Sequence, residues 1–213
     1  MGSSCCQTTS RHFDARIATK DVAHYREKGL DKRATLLLEA LRRAGVAGRT
    51  VLDVGSGVGA MSFELLKAGA SGAVLADASP AYLAAASAEA ARAGVLDRVE
   101  FVPGDFVETV GGIPAADIVV LDRVVCCYPA WSPLLAAAMS RGRALLGLVY
   151  PPARPDVRLV IALDNLRRRL KGDAFRTFVH PPAAMEAALR AEGWRLTSRQ
   201  GTFAWRIDLY TRA

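Results

Sequence analysis

The residues of this chain best placed to do chemistry are carboxylates set at the ends of apolar runs, with a loop of glycines after the first of them. Asp53 opens Asp53-Val54-Gly55-Ser56-Gly57-Val58-Gly59-Ala60, just after the apolar Val51-Leu52 and just before a stretch of helix formers. Glycines are needed where the backbone takes positive φ or lets a ligand touch the main chain. The helix that follows offers free N–H groups and the positive end of its dipole. A second carboxylate, Asp77, ends the run Ala73-Val74-Leu75-Ala76, where it can accept hydrogen bonds from both hydroxyls of a ribose. A third, Asp105, follows Val99-Glu100-Phe101-Val102 and stands beside Phe106, an acid and a ring suited to an adenine amino group and face. A fourth, Asp122, closes Asp117-Ile118-Val119-Val120-Leu121, again where ligands of open α/β sheets bind.

Gly55, Gly57 and Ala60 also satisfy the dinucleotide fingerprint G-x-G-x-x-G/A, so the loop alone leaves an NAD(P)-dependent oxidoreductase open. Asp77 does not decide between the two, because dehydrogenases share that acid. Asp105-Phe106 is the pair that favours S-adenosylmethionine.

Together these motifs resemble the class I S-adenosylmethionine-dependent methyltransferases, from roughly Arg33 to the C-terminus, with the family's D-x-G-x-G-x-G loop matched. The resemblance implies S-adenosyl-L-methionine as methyl donor. It sets Asp53, Gly55, Ser56 and Gly57 on the methionine part, Asp77 on the ribose, Asp105 and Phe106 on the adenine, and Asp122 at the floor of the cleft. The chain departs from the pattern at Ala78, which offers no large apolar side chain to cover the adenine. Tyr25-Arg26-Glu27-Lys28-Gly29-Leu30-Asp31 and Tyr150-Pro151-Pro152 partly resemble a branch that includes magnesium-protoporphyrin O-methyltransferase. That likeness implies that Tyr25 and Arg26 fold over the donor as part of an N-terminal lid, residues 1–31. Asp122-Arg123-Val124-Val125-Cys126-Cys127-Tyr128-Pro129 is similar to bacterial methyltransferases of unassigned substrate, so the porphyrin is not carried over.

The chemistry so implied is direct displacement at a sulfonium methyl, with sulfur leaving as a neutral thioether. The protein then contributes alignment, bringing the acceptor atom to about 3–3.5 Å in line with the C–S bond, and exclusion of water. A base is needed only if the acceptor must lose a proton. His180 and Asp122 are the candidates, with Tyr25, Tyr128 and Tyr150 able to orient the acceptor through their hydroxyls. A histidine before Pro181-Pro182 also suits a helix N-cap. A fold that binds the donor without catalysis, as a partner-binding module, is the remaining alternative.

The elements that must position these residues alternate. Helices are expected over Thr19 to Glu27, stopped by Gly29, and Lys32 to Ala44, stopped by Gly45. Strands around Val51, Val74, Val99, Ile118 and Leu145 to Val149 then alternate with helices over Met61 to Leu66, Pro80 to Ala93 and Leu134 to Met139. Such an order builds a doubly wound, Rossmann-like α/β sheet, mostly parallel, with helices on both faces. Trp194 to Ser198 and Phe203 to Tyr210, broken at Gln200-Gly201, read as closing strands, the last antiparallel. Residues 151–180 form an insert expected to roof the acceptor, with Leu159, Leu163, Leu166 and Leu170 at helical spacing read as core or cap packing. Another helix starts at His180-Pro181-Pro182, with Met185 and Leu189 inward and Gly193 as its stop.

A chain of 213 residues, 51% hydrophobic, is the size of one domain, residues 1–213. No apolar run reaches the roughly 20 residues of a membrane span, and no leader pattern is present, which leads to a cytoplasmic expectation. Met1-Gly2-Ser3-Ser4-Cys5-Cys6 has Cys6 where myristoylation asks for Ser or Thr. The four cysteines form two adjacent pairs, Cys5-Cys6 and Cys126-Cys127, without the C-x-x-C spacing of zinc sites, so no metal is expected. Cys126-Cys127 reads as packing, with a soft-ligand site for a thiophilic substrate as the functional version. The net charge of +7 lacks interleaved aromatics, which argues against nucleic acid. Arg154, Arg158, Arg167, Arg168, Arg169, Lys171 and Arg176 read as a solvated face or as cleft residues favouring an anionic small-molecule acceptor. A monomer or homodimer fits this composition.

Overall fold

The structure, a computed structural model, describes residues 12–212. Met1 to Cys6, with its lipidation pattern and first cysteine pair, lies outside the described residues. Of the first dozen residues only His12 is described, and its ring stacks on Phe175 at 4.4 Å.

Helices α1 (Ala15–Lys28) and α2 (Lys32–Ala44) precede the sheet. Asp14 caps α1 by accepting from the Ile17 N–H, and this cap starts the helix four residues before the expected Thr19. Asp31 caps α2 in the same way through Ala34. The alternation then runs β1 (Thr50–Val54), α3 (Ala60–Lys67), β2 (Gly72–Asp77), α4 (Pro80–Arg92) and β3 (Val99–Pro103). It continues through the single turn α5 (Phe106–Thr109), β4 (Ala116–Asp122), α6 (Trp131–Arg141) and β5 (Gly142–Tyr150). Helices α7 (Pro155–Leu170) and α8 (Pro182–Ala191) lead to β6 (Trp194–Gly201) and β7 (Arg206–Arg212).

The strands form one sheet in the order β3-β2-β1-β4-β5-β7-β6. β1 to β5 pair in parallel, and β7 runs antiparallel between β5 and β6. Apolar clusters cover both faces, one with Leu37, Leu41, Phe63 and Ile118, the other with Leu52, Leu121, Leu135 and Trp194. This is the doubly wound fold, and its strand order reverses between β1 and β4, where a ligand crevice opens at the carboxyl ends.

Two expectations are corrected, the turn of the closing hairpin and the packing of the leucine stripe. The closing hairpin turns at residues 202–205, not at Gln200-Gly201. Gly201 still pairs with Arg206, and the Thr202 N–H donates to the Trp205 carbonyl at 2.8 Å. Within β7, Asp208 and Tyr210 are as buried as Ile207 and Leu209, because both faces of this strand are covered. The leucine stripe of α7 is not core packing but faces outward. Leu159, Leu163, Leu166 and Leu170 are 61%, 57%, 52% and 80% exposed, while Val157, Ile161 and Arg168 on the opposite side face the body. In α8, Met185 and Leu189 are buried as their spacing implies.

Candidate functional site

A cavity of about 780 Å³ opens at the carboxyl ends of β1, β2 and β4. Its wall includes Asp53, Gly55, Ser56 and Gly57 after β1, Asp77 and Ala78 after β2, Gly104 and Phe106 after β3, and Asp122 and Arg123 after β4. Eight of the eleven residues expected around a donor therefore share one cavity wall with Tyr25; Arg26 and Asp105 do not line it.

The glycine loop earns its sequence. Gly55, Gly57 and Gly59 all take positive φ, at 64°, 56° and 80°. A Cβ on Gly55 would meet Val124 Cγ2 at 2.4 Å and one on Gly59 would meet Phe63 at 2.7 Å, whereas one on Gly57 would meet nothing within 4 Å. The first and third are packing glycines, and the middle one borders open space. Ser56 Oγ is buried and has no hydrogen-bond partner among the described residues. Asp77 accepts from the Gly57 N–H at 2.9 Å and from the Ser79 N–H at 2.8 Å, one bond on each oxygen. Burial pushes its carboxyl upward against those two bonds. Asp53 accepts from Ser62 Oγ at 2.8 Å, and burial, with Asp122 and Asp77 nearby, pushes it up to about 7.

Asp105 is buried at the N-terminus of α5, where it accepts from the Val107 N–H at 3.0 Å and from the Tyr128 hydroxyl at 3.1 and 3.0 Å on its two oxygens. Its neighbours Gly104 and Phe106 form the cavity wall. The Tyr128 hydroxyl is thus committed to Asp105, although Tyr128 lines the cavity. Asp122 is held by the Arg33 guanidinium, Nε at 3.2 Å and Nη2 at 3.4 Å, a pairing that suits a floor and not a free base. Tyr150 is buried outside the cavity wall, donating to Asp208 at 2.7 Å. His180 also lies off the wall, its Nε2 2.9 Å from the Tyr128 carbonyl, and α8 is capped by Pro181 without any side chain. Neither the base nor the N-cap reading of His180 fits this position.

Helix α1 lies against the cavity through only one of the two residues expected, beside Lys20, Asp21 and His24. Tyr25 lines it, but its hydroxyl donates to Glu64 at 2.9 Å, and Arg26 turns away to pair with Glu89 on α4. Asp21 accepts from the Tyr82 hydroxyl at 2.7 Å. Phe13, ahead of the helix, receives Ser79 Oγ on its carbonyl at 2.7 Å and sets its ring 5.4 Å from Tyr82, close to the gap left by Ala78.

Arg123, Cys126 and Cys127 also line the wall. Arg123 is the one non-glycine described residue at positive φ, 63°, a strained position that the Cys126 and Cys127 thiols support by donating to its carbonyl at 3.3 and 3.1 Å. The two sulfurs are 3.9 Å apart and unbridged, and the hydrogen bond between them together with burial pushes Cys126 upward. His12 Nδ1 lies 3.1 Å from Asp173 and Nε2 3.2 Å from Arg168, which also pairs with Asp164 at 2.7 Å. These contacts join the chain ahead of α1 to the 151–180 insert, whose Val157, Ile161, Phe175 and Thr177 line the cavity. Among the described residues, no group of three or more His, Cys, Asp or Glu side chains is placed to hold a metal. No described helix is long and apolar enough to cross a membrane.

Residues 51–146, which run from β1 into the first half of β5, match the protein family described as methyltransferase domain. Over that stretch the chain is similar to methyltransferase domains. The methyl donor of this family is S-adenosylmethionine. The domain's likeness in sequence reaches ribosomal protein L11 methyltransferases, 33% identical over 111 residues in Pelotomaculum thermopropionicum and 33% over 121 residues in an Enterobacter species. Those stretches cover 52% and 56% of this chain but only 35% and 40% of the relatives' own length. In structure the domain is similar to magnesium protoporphyrin IX methyltransferase from Synechocystis with bound S-adenosylhomocysteine. The TM-score is 0.67 and the identity 19%, over 96% of this chain and 85% of that one. A TehB-like methyltransferase from Corynebacterium glutamicum gives a TM-score of 0.65 at 14% identity, over 93% and 98% of the two chains. These likenesses establish the methyltransferase fold, including the reversed strand beside β5.

Proposed function

We propose that this chain is a cytoplasmic S-adenosylmethionine-dependent methyltransferase that transfers the methyl group by direct displacement to a small, largely apolar acceptor bearing an anionic group. The observation that carries the reading is a single cavity lined both by the Ser56, Gly57 and Asp77 cradle and by the cations Arg33, Arg123 and Arg168. Its volume of about 780 Å³ falls within the usual range for small-molecule sites. The N-terminal helix and the 151–180 insert border it, a concave setting that supports a small acceptor over the face of a folded protein.

The donor fits the residues present. Asp77 has spent one acceptor position per oxygen on backbone N–H groups and keeps others for two ribose hydroxyls. Ser56 Oγ is a buried polar atom awaiting a partner, which the polar tail of the methionine part supplies. Open space beside Gly57 lets that tail approach the main chain, and Asp53 faces its ammonium. Phe106 and Phe13 bracket the adenine, while Asp105 acts on it from behind, by holding Tyr128 and the start of α5.

When bound, the donor supplies an electrophilic methyl on a sulfonium. The chain's own residues orient and enclose. Arg33 holds Asp122 at the floor, the ring of Tyr25 and the chain around Phe13 exclude water, and Arg123 and Arg168 attract the acceptor's anionic group. An acceptor that must lose a proton meets two imidazoles on the wall, His12 and His24, of which His12 is oriented by Asp173.

The test is transfer of labelled methyl from S-adenosylmethionine to a panel of small aromatic and aliphatic carboxylates, phenols and amines, alongside ribosomal protein L11. Label in a carboxylate-bearing small molecule supports the reading. Label in L11 alone overturns the acceptor assignment, and binding of donor with transfer to nothing assigns the chain to a donor-binding partner module.

A further inference from the structure

The solvent side of α7 is where the fold leaves apolar surface uncovered. Leu159, Val160, Leu163, Leu166 and Leu170 are all more than half exposed, and Phe203, 66% exposed, sits at the helix's start under Arg154 at 4.9 Å. Leu96 is the one other exposed large hydrophobic side chain among the described residues. Single exposed apolar residues are ordinary, but a contiguous set marks an interaction surface.

The leucines recur at steps of four, three and four residues, so they form one crest along the helix, opposite Val157, Ile161 and Arg168 on the cavity side. At 100° per residue, Arg158 and Arg169 fall on one flank of that crest and Arg167 on the other. Arg154 and Arg168 have acid partners in Asp156 and Asp164, whereas Arg158, Arg167 and Arg169 are exposed and make no ion pair among the described residues. An apolar crest with cations on both flanks is the form of a helix that lies in a membrane interface. There the leucines enter the acyl boundary and the arginine heads reach the phosphates.

Charge decides among the occupants. A second copy would bring the arginine flanks of two chains, each of net charge +7, against one another. An anionic surface gains from the same charges. Shape and continuity favour a bilayer over an acidic protein. The crest is a convex ridge, and Val160 and Phe203, exposed beside it, also line the cavity wall, so exposed apolar surface extends from the helix to the cavity.

We propose that α7 docks this protein peripherally on an anionic lipid bilayer, with the leucine crest inserted and Arg158, Arg167 and Arg169 on the headgroups. The attachment needs no spanning segment. It is independent of whether the cavity binds the methyl donor.

The experiment is co-sedimentation of the full chain with vesicles of phosphatidylcholine alone and of an equimolar mixture with phosphatidylglycerol, at low and high salt. The protein is expected to pellet with the mixed vesicles at low salt, to be released by high salt, and to ignore phosphatidylcholine. The double variant Leu163→Glu with Leu166→Glu, and separately Arg167→Glu with Arg169→Glu, should each weaken partitioning by about tenfold or more. Circular dichroism melts check that both remain folded, and the charge-reversed pair, exposed throughout, keeps the test alive if the leucine variant unfolds. No binding to mixed vesicles, or binding unchanged in folded variants, overturns the proposal. So does a dimer in sedimentation velocity that the leucine variant dissociates, since the crest then belongs to a second copy.

Discussion

Gly57 donates its backbone N–H to Asp77 Oδ2 at 2.9 Å, joining the glycine loop after β1 to the acid at the end of β2 across twenty residues of sequence. The bond fixes the loop and orients the carboxylate at once. Replacing Asp77 by Ala is expected to weaken S-adenosylhomocysteine binding by about 1.5–3 kcal/mol, the scale for hydrogen bonds to a charged group. Asp77→Asn should fall between the two, since its amide oxygen still accepts one of the two N–H groups. Calorimetric titration of the three proteins checks the order, and equal dissociation constants would remove Asp77 from the ribose.

The three loop glycines should separate packing from binding. Gly55→Ala forces a methyl into Val124 at 2.4 Å and is expected to lower stability sharply. Gly57→Ala meets no neighbour and suffers only the positive-φ cost of about 1 kcal/mol. It should nevertheless lose donor affinity, because its methyl enters the space the ligand needs. Thermal melts and titrations on both variants give the comparison, and a Gly57→Ala protein that binds normally would make the loop purely structural.

Asp53 ties pH to stability. Its carboxyl, pushed up to about 7 by burial, keeps a proton in the folded protein over a range where the unfolded chain has released it. Stability is therefore expected to fall as pH rises from the ordinary carboxylate range to about 7 and to level off above, with buried Asp77 adding the same sign. Donor affinity should move the opposite way, rising between about pH 6 and pH 8 as Asp53 ionises to face an ammonium. Asp53→Asn should flatten both profiles. Chemical denaturation and titration across that range measure them.

Asp208 is a buried carboxylate outside the cavity wall. It accepts from Tyr150 at 2.7 Å, Arg199 at 2.9 Å and Arg206 at 2.9 Å, and closes β5 against β7. Arg199→Ala leaves Arg206, Tyr150 and Tyr210 on it. Asp208→Ala takes the acceptor from both buried tyrosine hydroxyls and leaves the two guanidinium groups only Glu186. The second change should therefore cost more, about 1–3 kcal/mol for each buried group left unsatisfied. Urea denaturation of each variant, with donor binding as the control that should not move, tests this.

What the sequence made legible was local. Apolar runs ending in Asp53, Asp77 and Asp122 are strands because each is buried on both faces, and their ends meet wherever parallel strands align. What it hid depends on side-chain direction. Nothing in Asp105-Phe106 says that the acid turns to Tyr128 while the ring faces the cavity, nor that Arg26 leaves for Glu89 while Tyr25 stays. The α7 leucines show the limit most clearly. Helical spacing reveals that they share a side of the helix, but that side faces outward because Val157 is buried, and Asp164 and Arg168 are anchored beside His12 and Asp173, on the other. Arg33 and His12 belong to no motif, and their distant partners Asp122 and Asp173 become neighbours only in the fold.

The most direct measurement is isothermal titration of the full chain with S-adenosylhomocysteine and, separately, with NADH. One equivalent of S-adenosylhomocysteine binding in the micromolar range, lost in Gly57→Val and with no heat from NADH, is the predicted result. A silent S-adenosylhomocysteine titration from folded protein, or saturable NADH binding in its place, would contradict the account.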